Sequence, residues 1–408
     1  VALAADAPLS QPYWLVKPME KGSFVVDQQQ LIGKAENDPL LVTFEVEIAG
    51  ENFQFEKPIR YKFTDPVKGE LYQPVSIIPA VSVKVIPALS IKSNAYELEV
   101  KSFKDNQLLS FNTLHEGQIT DHKIEPVAFK KNQINKVAIS AIHERDKTTN
   151  APDVAKFLQV NQSGVPYQEL VQINYDHIPP IAYVRNSTFT KVEMDVKTTG
   201  KTVGYIVGAG DKVPQALEQL GYDVVFLKET DITLANLKKL DAVVTGVRAY
   251  NVNDWMGNVY DVLMQYVQAG GVVLVQYNTN NFISSIKSKI GPYPLNIGRN
   301  RITDENAVVN FLQPQHPILN YPNVITSKDF DGWVQERSIY HAENIDSNYQ
   351  RIISMKDPGE KEQDGSLLVA NYGKGRFVYT GLVFFRELPA GVPGAYRLFA
   401  NLIAKPKR

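Results

Sequence analysis

Residues 12–100 read as β-structure, because in several stretches the hydrophobic positions recur every second residue. Leu41-Val42-Thr43-Phe44-Glu45-Val46-Glu47-Ile48 alternates polar and apolar side chains, the pattern of a half-buried strand. Ala49-Gly50-Glu51-Asn52 supplies a turn and Phe53-Gln54-Phe55 resumes the alternation, so a hairpin is predicted. The turn-rich run Asp65-Pro66-Val67-Lys68-Gly69-Glu70 closes a first small β-sandwich domain, residues 1–73. A second β-sandwich domain is predicted over 74–181. Its strands are Val81–Val85, Tyr96–Val100, Val137–Ser140 and Leu170–Tyr175, arranged as two antiparallel sheets packed face to face. Consecutive prolines in Asp176-His177-Ile178-Pro179-Pro180 end regular pairing.

After about residue 182 the period changes. Val203-Gly204-Tyr205-Ile206-Val207 is short and almost continuously apolar, and Val213, Ala216, Leu217 and Leu220 then mark one helical face. Tyr222–Leu227 and Ala242–Thr245 read as further strands, with Leu234, Leu237 and Leu240 on a helical face between them. Trp255, Val259, Val262, Leu263, Tyr266 and Val267 trace a longer helix closed by Gly270-Gly271, and Val272–Val275 is a buried strand. The tail adds strands at Arg351–Ser354, Leu367–Ala370 and Phe377–Leu382, then a helix with Tyr396, Leu398, Phe399, Leu402 and Ile403 inward. Strands alternating with helices at this spacing predict an α/β domain over 182–408 with a mostly parallel, flavodoxin-like sheet covered on both faces.

Composition narrows the partners. A chain of 408 residues, 44% of them apolar, exceeds what one core supports, so several domains are expected. Lys+Arg (43) and Asp+Glu (44) nearly cancel, and both halves are close to neutral, which argues against nucleic-acid binding and against a polybasic membrane patch. No apolar run approaches a membrane span, so no membrane insertion is expected. The absence of cysteine removes disulfides, thiolate metal sites and thiol nucleophiles. The small residues of Val1-Ala2-Leu3-Ala4-Ala5-Asp6-Ala7-Pro8 resemble the surroundings of a signal cleavage site.

Candidate chemistry lies in the loops beyond the C-terminal ends of the parallel strands. Gly208-Ala209-Gly210-Asp211-Lys212 could cradle an anion or be a plain tight turn. With Val213 where a third glycine would be needed it is not a dinucleotide fingerprint, nor is it a P-loop, and no cofactor is expected. In Gln276-Tyr277-Asn278-Thr279-Asn280-Asn281, the amides can bind a polar ligand or simply cap the loop; they are poor nucleophiles. The densest polar cluster is Asp329, Asp331, Trp333, Glu336, Arg337, Tyr340, His341 and Glu343. It reads either as an acid or charge clamp or as a surface ion pair. Phe384-Phe385-Arg386-Glu387 follows a buried strand and could face the same crevice. The six histidines form no H-x-x-x-H pair, so no metal site is expected; only His115 and His122, near Glu116 and Asp121, offer a weak metal spacing.

The residues 182–405 resemble the class I glutamine amidotransferase-like fold, and the whole chain resembles the C-terminal half of the long bacterial PIG-L (LmbE-like) deacetylases. The matching stretches are Gln11-Pro12-Tyr13-Trp14-Leu15, Asp65–Glu70, Gly332-Trp333-Val334-Gln335-Glu336-Arg337 and Gly391-Val392-Pro393-Gly394-Ala395-Tyr396-Arg397-Leu398. In that family a preceding domain deacetylates N-acetylated sugars through a zinc site whose P-H-x-D-D motif is absent here, so the resemblance implies the accessory portion alone. It also implies export, to the periplasm or cell surface. Class I amidotransferases use a cysteine at a strand-end elbow, here loosely Gln276-Tyr277-Asn278, and a later His and Glu, here loosely Phe385-Arg386-Glu387. Only Glu387 matches by type, so glutamine hydrolysis has no nucleophile or base.

The expectation is therefore a non-catalytic accessory region that binds a carbohydrate or positions a PIG-L-like catalytic domain, with Tyr277, Asn278, Trp333, Arg337, Tyr340 and Arg386 as ligand-binding candidates. The alternative is a hydrolase acting on a carbohydrate-derived substrate through Glu336, His341 or Glu387, which requires at least two of these to share one pocket.

Overall fold

A computed structural model describes residues 7–20, 23–34, 40–91, 95–105, 109–115, 118–122, 129–140, 154–162, 165–281 and 285–405. The chain divides into two units. One comprises Val1–Ala88, Ser93–Arg145 and Lys156–Thr190, the other Leu89–Lys92, Asp146–Ala155 and Lys191–Arg408. The two domains expected before residue 181 thus fall within a single unit.

In the first unit the alternating segment 41–58 forms the expected hairpin, with Phe44 opposite Phe55 and Val46 opposite Phe53. Arg60–Asp65 and Gly69–Pro74 form a second hairpin. Each is a separate two-stranded sheet, so 1–73 is not a sandwich among the described residues. Every residue of Leu41–Ile48 and Glu51–Pro58 is exposed. The alternation that predicted a half-buried strand sorts Val42, Phe44, Val46 and Ile48 onto one face, but nothing described covers it. The sandwich begins at Val81. A five-stranded sheet runs in the order Ile134–Ser140, Ala95–Ser102, Val81–Ile86, Gln168–Ile173, Ile181–Asn186. A second sheet contains Val154–Gln162 and the hairpin Phe111–His115/Gln118–His122. Val83, Leu98, Val100, Phe111, Val160 and Phe189 share the core between them. The side chains of His115, Asp121 and His122, and Glu116 itself, lie outside the described residues.

The second unit is built on a seven-stranded sheet ordered Asp223–Phe226, Thr202–Ile206, Ala242–Thr245, Val272–Gln276, Gly375–Thr380, Leu367–Tyr372, Gln350–Arg351. The first five are parallel and the last two antiparallel. Strand residues alternate between two cores, as a sheet covered on both faces requires. Val203, Tyr205, Val244, Leu274 and Val378 face one core with the helices Val213–Leu220 and Pro393–Ile403. Ile206, Val243, Val273, Val275, Phe377 and Tyr379 face the other with the helix Tyr260–Gln268. No helix among the described residues is long and apolar enough to cross a membrane.

Between Val272–Gln276 and Leu367–Tyr372 lies a long insertion that, among the described residues, has only two-residue strands and single turns of helix. Part of it bears on the sheet's C-terminal edge. Ser338 bridges to Ile302 on one side and to Leu382 on the other. Arg337 N donates to Ile302 O, Ile339 N to Gly381 O and Val383 N to Arg337 O. The segment 335–340 is thereby laid between the loop carrying Arg299 and Arg301 and the segment leading to Arg386.

Candidate functional site

The glycine loop at 208–212 is filled from within. Asp211 accepts from Tyr205 Oη at 2.6 Å, Val213 N at 3.0 Å and Val247 N at 3.0 Å, and Ala209 N donates to Val247 O. The loop's own carboxylate draws in the neighbouring donors and Ala209 N is spent on a backbone carbonyl, which is how a tight turn is held.

A cavity of about 540 Å³ opens instead further along the strand ends, lined by Asn281, Arg299, Arg301, Glu336, Ile339, Tyr340 and Arg386. Glu336 is 3% exposed. Its Oε2 pairs with Arg301 Nη2 and its Oε1 lies 3.2 Å from Arg386 Nη2, so one buried carboxylate spans two guanidinium groups. Arg386 also donates to Gln335 Oε1 and lies 5.0 Å above the Phe385 ring. Its Nε is buried without a hydrogen-bond partner. Tyr340 stacks on Tyr277 at 5.6 Å and 10°, and Phe385 packs against Tyr277 at 5.2 Å. Burial raises the Tyr277 hydroxyl above its ordinary pKa, opposed by the charges of Arg248 and Arg386.

The backbone around this cavity is strained. Gln335 (φ 69°), Tyr340 (φ 50°) and Arg248 (φ 59°) are left-handed without being glycine. Each such residue costs on the order of 1–3 kcal/mol, and such residues concentrate where a side chain must be aimed. Tyr379 Oη donates to Tyr340 O at 2.6 Å and holds that carbonyl in place.

The remaining candidates are turned away. Trp333 is 4% exposed, stacks on Phe330, packs beside Phe384 and donates its Nε1 to Asp329 O. It is a core residue rather than a sugar platform, because its ring fills the space between helix and insertion. Arg337 is 5% exposed and donates to Ala307 O at 3.2 Å and to Phe330 O, with its guanidinium 5.7 Å from the rings of Phe330 and Trp333. Asn278 is fully buried; it accepts from Tyr250 N and donates to Gln276 O, which pins the loop.

Of the three hydrolase candidates, only Glu336 lines the cavity. His341 is buried, with Nε2 2.7 Å from Ser338 Oγ and Nδ1 unpartnered, and burial lowers its pKa to about 4. Ser338 is also fully buried, so this pair has no access to substrate. Glu387 is fully buried, and its two oxygens accept from Val334 N at 3.2 and 3.0 Å. Burial raises its pKa to about 8 against the opposing Val334 hydrogen bond and the charges of Arg337 and Arg386. Among the described residues no cluster of His, Asp and Glu could hold a metal.

Sequence reasoning did not single out Arg299, Arg301 or Ile339, and it took Asn281 only as one amide of the loop 276–281. The available signal was Gly298-Arg299-Asn300-Arg301, two arginines on one short loop, but that loop lies in the insertion rather than at a strand end.

No family model and no curated protein matches the chain. Among solved structures, the chain is similar to a GMP synthase-like protein of Thermoplasma acidophilum, at 14% identity over 51% of this chain and 94% of that one, with a TM-score of 0.32. It is also similar to a β-galactosidase of Bacillus circulans sp. alkalophilus (12% identity, 52% of this chain and 32% of that one, TM-score 0.33). A third is the exo-β-1,4-mannosidase Op5Man5 of Opitutaceae bacterium strain TAV5 (10% identity, 51% and 37%, TM-score 0.29). The matches to the two glycosidases thus span about a third of their length. At these scores the likeness fixes neither a common fold nor an activity.

Proposed function

We propose that the second unit is a non-catalytic ligand-binding domain whose strand-end cavity holds a small carbohydrate-derived molecule. The observation that carries this reading is the wall of the cavity. Tyr340, backed by Tyr277, offers an aromatic ring. Its polar residues are three arginines, one asparagine and a carboxylate already engaged by two of the arginines. Such a set binds and orients; it has no nucleophile with a base beside it. The parallel strands run in the order 2-1-3-4-5, which doubly wound flavodoxin-like sheets use, and this supports the amidotransferase-like reading of the domain. The accessory role beside a PIG-L-like deacetylase domain, and export, rest on the sequence resemblance. The test is titration calorimetry of the full chain with a panel of mono- and disaccharides. Saturable binding lost in Tyr340→Ala is expected, and no binding across the panel would reject the reading.

A hydrolase is the second reading, favoured by one observation: Glu387 is held protonated near neutral pH and feels the charge of Glu336. A glycosidase needs an acid and a second carboxylate facing one substrate, and Glu387 is fully buried and does not line the cavity with Glu336, so this reading ranks second. Turnover of aryl glycosides, abolished by Glu336→Gln and by Glu387→Gln separately, would establish it.

A further inference from the structure

Three guanidinium groups converge on the cavity against a single carboxylate. We propose that the cavity recognises an oxyanion, so that the ligand is a sugar acid or sugar phosphate rather than a neutral sugar; this rests on the carbohydrate reading above.

The argument is one of unspent donors. Each guanidinium carries five N–H donors, and a carboxylate offers two oxygens. Glu336 places one oxygen on Arg301 and one on Arg386 and does not reach Arg299. Arg299 has neither hydrogen bond nor ion pair to any described residue, and the Nε of Arg386 is buried unpaired. Arg248, whose Nε is also buried unpaired, adds its charge at the Tyr277 hydroxyl. Among the described residues no second acid lines the cavity. Like charges gathered on one wall repel, the more so where water is partly excluded, and a neutral sugar would leave that repulsion and the unpaired donors in place. Carboxylate and phosphate both match the planar fork of an arginine. Glu336 then acts as a positioning residue. Bonded through both oxygens, it holds Arg301 and Arg386 at the cavity, and Arg386 spends a further donor on Gln335 while its Nε stays unpaired.

The test is calorimetry on the full chain at low salt with D-glucuronate, glucose 6-phosphate, glucose, acetate and inorganic phosphate. We expect at least one charged sugar to bind tenfold or more tightly than glucose, with the affinity falling as salt rises. Arg299→Ala should weaken it about tenfold without moving the melting temperature, because that side chain holds nothing in the fold. Glucuronate against glucose 6-phosphate decides between carboxylate and phosphate. Glucose binding as tightly as the charged sugars would overturn the oxyanion while leaving the carbohydrate reading intact. Binding of acetate or phosphate with no gain from the sugar would uphold the oxyanion and reject the carbohydrate. Silence from all five rejects both.

Discussion

At the scale of single residues, the groups that look most chemical in the sequence are held by the fold for other purposes, and their protonation shows how. Glu387 has a folded pKa near 8 against an ordinary carboxyl value of 4.5. The folded state therefore keeps its proton while the unfolded chain loses it, and stability declines as pH rises from about 4.5 to about 8. Glu387→Gln keeps an acceptor for Val334 N and removes the charge. It should stabilise the protein by on the order of a few kcal/mol at pH 8 and above, with the gain vanishing near pH 4.5; paired denaturant titrations across that range check it. His341 has the opposite slope. Its folded pKa near 4 lies below 6.5, so the stability it contributes is complete above 6.5 and is lost as pH falls to 4. Arg337 is the structural arginine. Arg337→Met keeps most of the apolar stem and strands the carbonyls of Ala307 and Phe330. A loss of about 2–4 kcal/mol is expected in the same titration. A sequence reader takes Trp333 and Arg337 for a binding pair because aromatic and cation stand together. Nothing in residue type says that both point inward.

At the scale of elements, legibility followed periodicity. The strands at 203–207, 242–245 and 272–275 are short apolar runs set between helical faces, the last helix shows helical spacing, and each formed close to its expected bounds. Among the described residues, the insertion between 285 and 350 contains only elements too short to show a period, and it contributes Arg299, Arg301, Glu336, Ile339 and Tyr340. Five of the seven wall residues were therefore invisible as structure even where some of them were noticed. Hairpin 41–58 shows a different limit: alternation tells which side chains share a face, and not whether another layer covers them. The first strand-end loop tests backbone crowding. A Cβ on Gly208 would lie 2.0 Å from Val247 O, a backbone atom that cannot rotate away, whereas one on Gly210 meets nothing. Gly208→Ala should cost more than about 3 kcal/mol or prevent folding. Gly210→Ala should cost only about 1 kcal/mol, from its positive φ. Comparison of their melting temperatures decides whether close approach or turn conformation fixes this loop.

At the scale of the whole molecule, the boundary read from hydrophobic periodicity and the boundary drawn by packing differ in a way that can be tested. The change of period near 182 suggests that the α/β unit could be cut free there. Packing assigns Leu89–Lys92, far upstream, to the same unit. Gln219 Nε2 donates to Leu89 O at 2.8 Å, Ile91 N donates to Gln219 Oε1, and Ile91 is 4% exposed in the core shared with Val192 and Leu217. Gly391 leaves room for the Leu89 side chain, because a Cβ there would lie 2.8 Å from Leu89 Cδ1. A fragment beginning at 191 therefore exposes that apolar surface and leaves the Gln219 amide unpaired. Burial of one isoleucine is worth about 1.5–3 kcal/mol and each hydrogen bond about 0.5–1.5 kcal/mol, so the fragment should be less stable by roughly 3 kcal/mol. Trp255 and Trp333 both lie in this unit, so their fluorescence during a denaturant titration reports it directly in the fragment. In the full chain the comparison is made after Trp14 is replaced by Phe. A fragment as stable as the unit in the full chain would place the boundary where periodicity puts it. A weakened fragment means that four residues from the β-rich half complete the fold that carries the cavity.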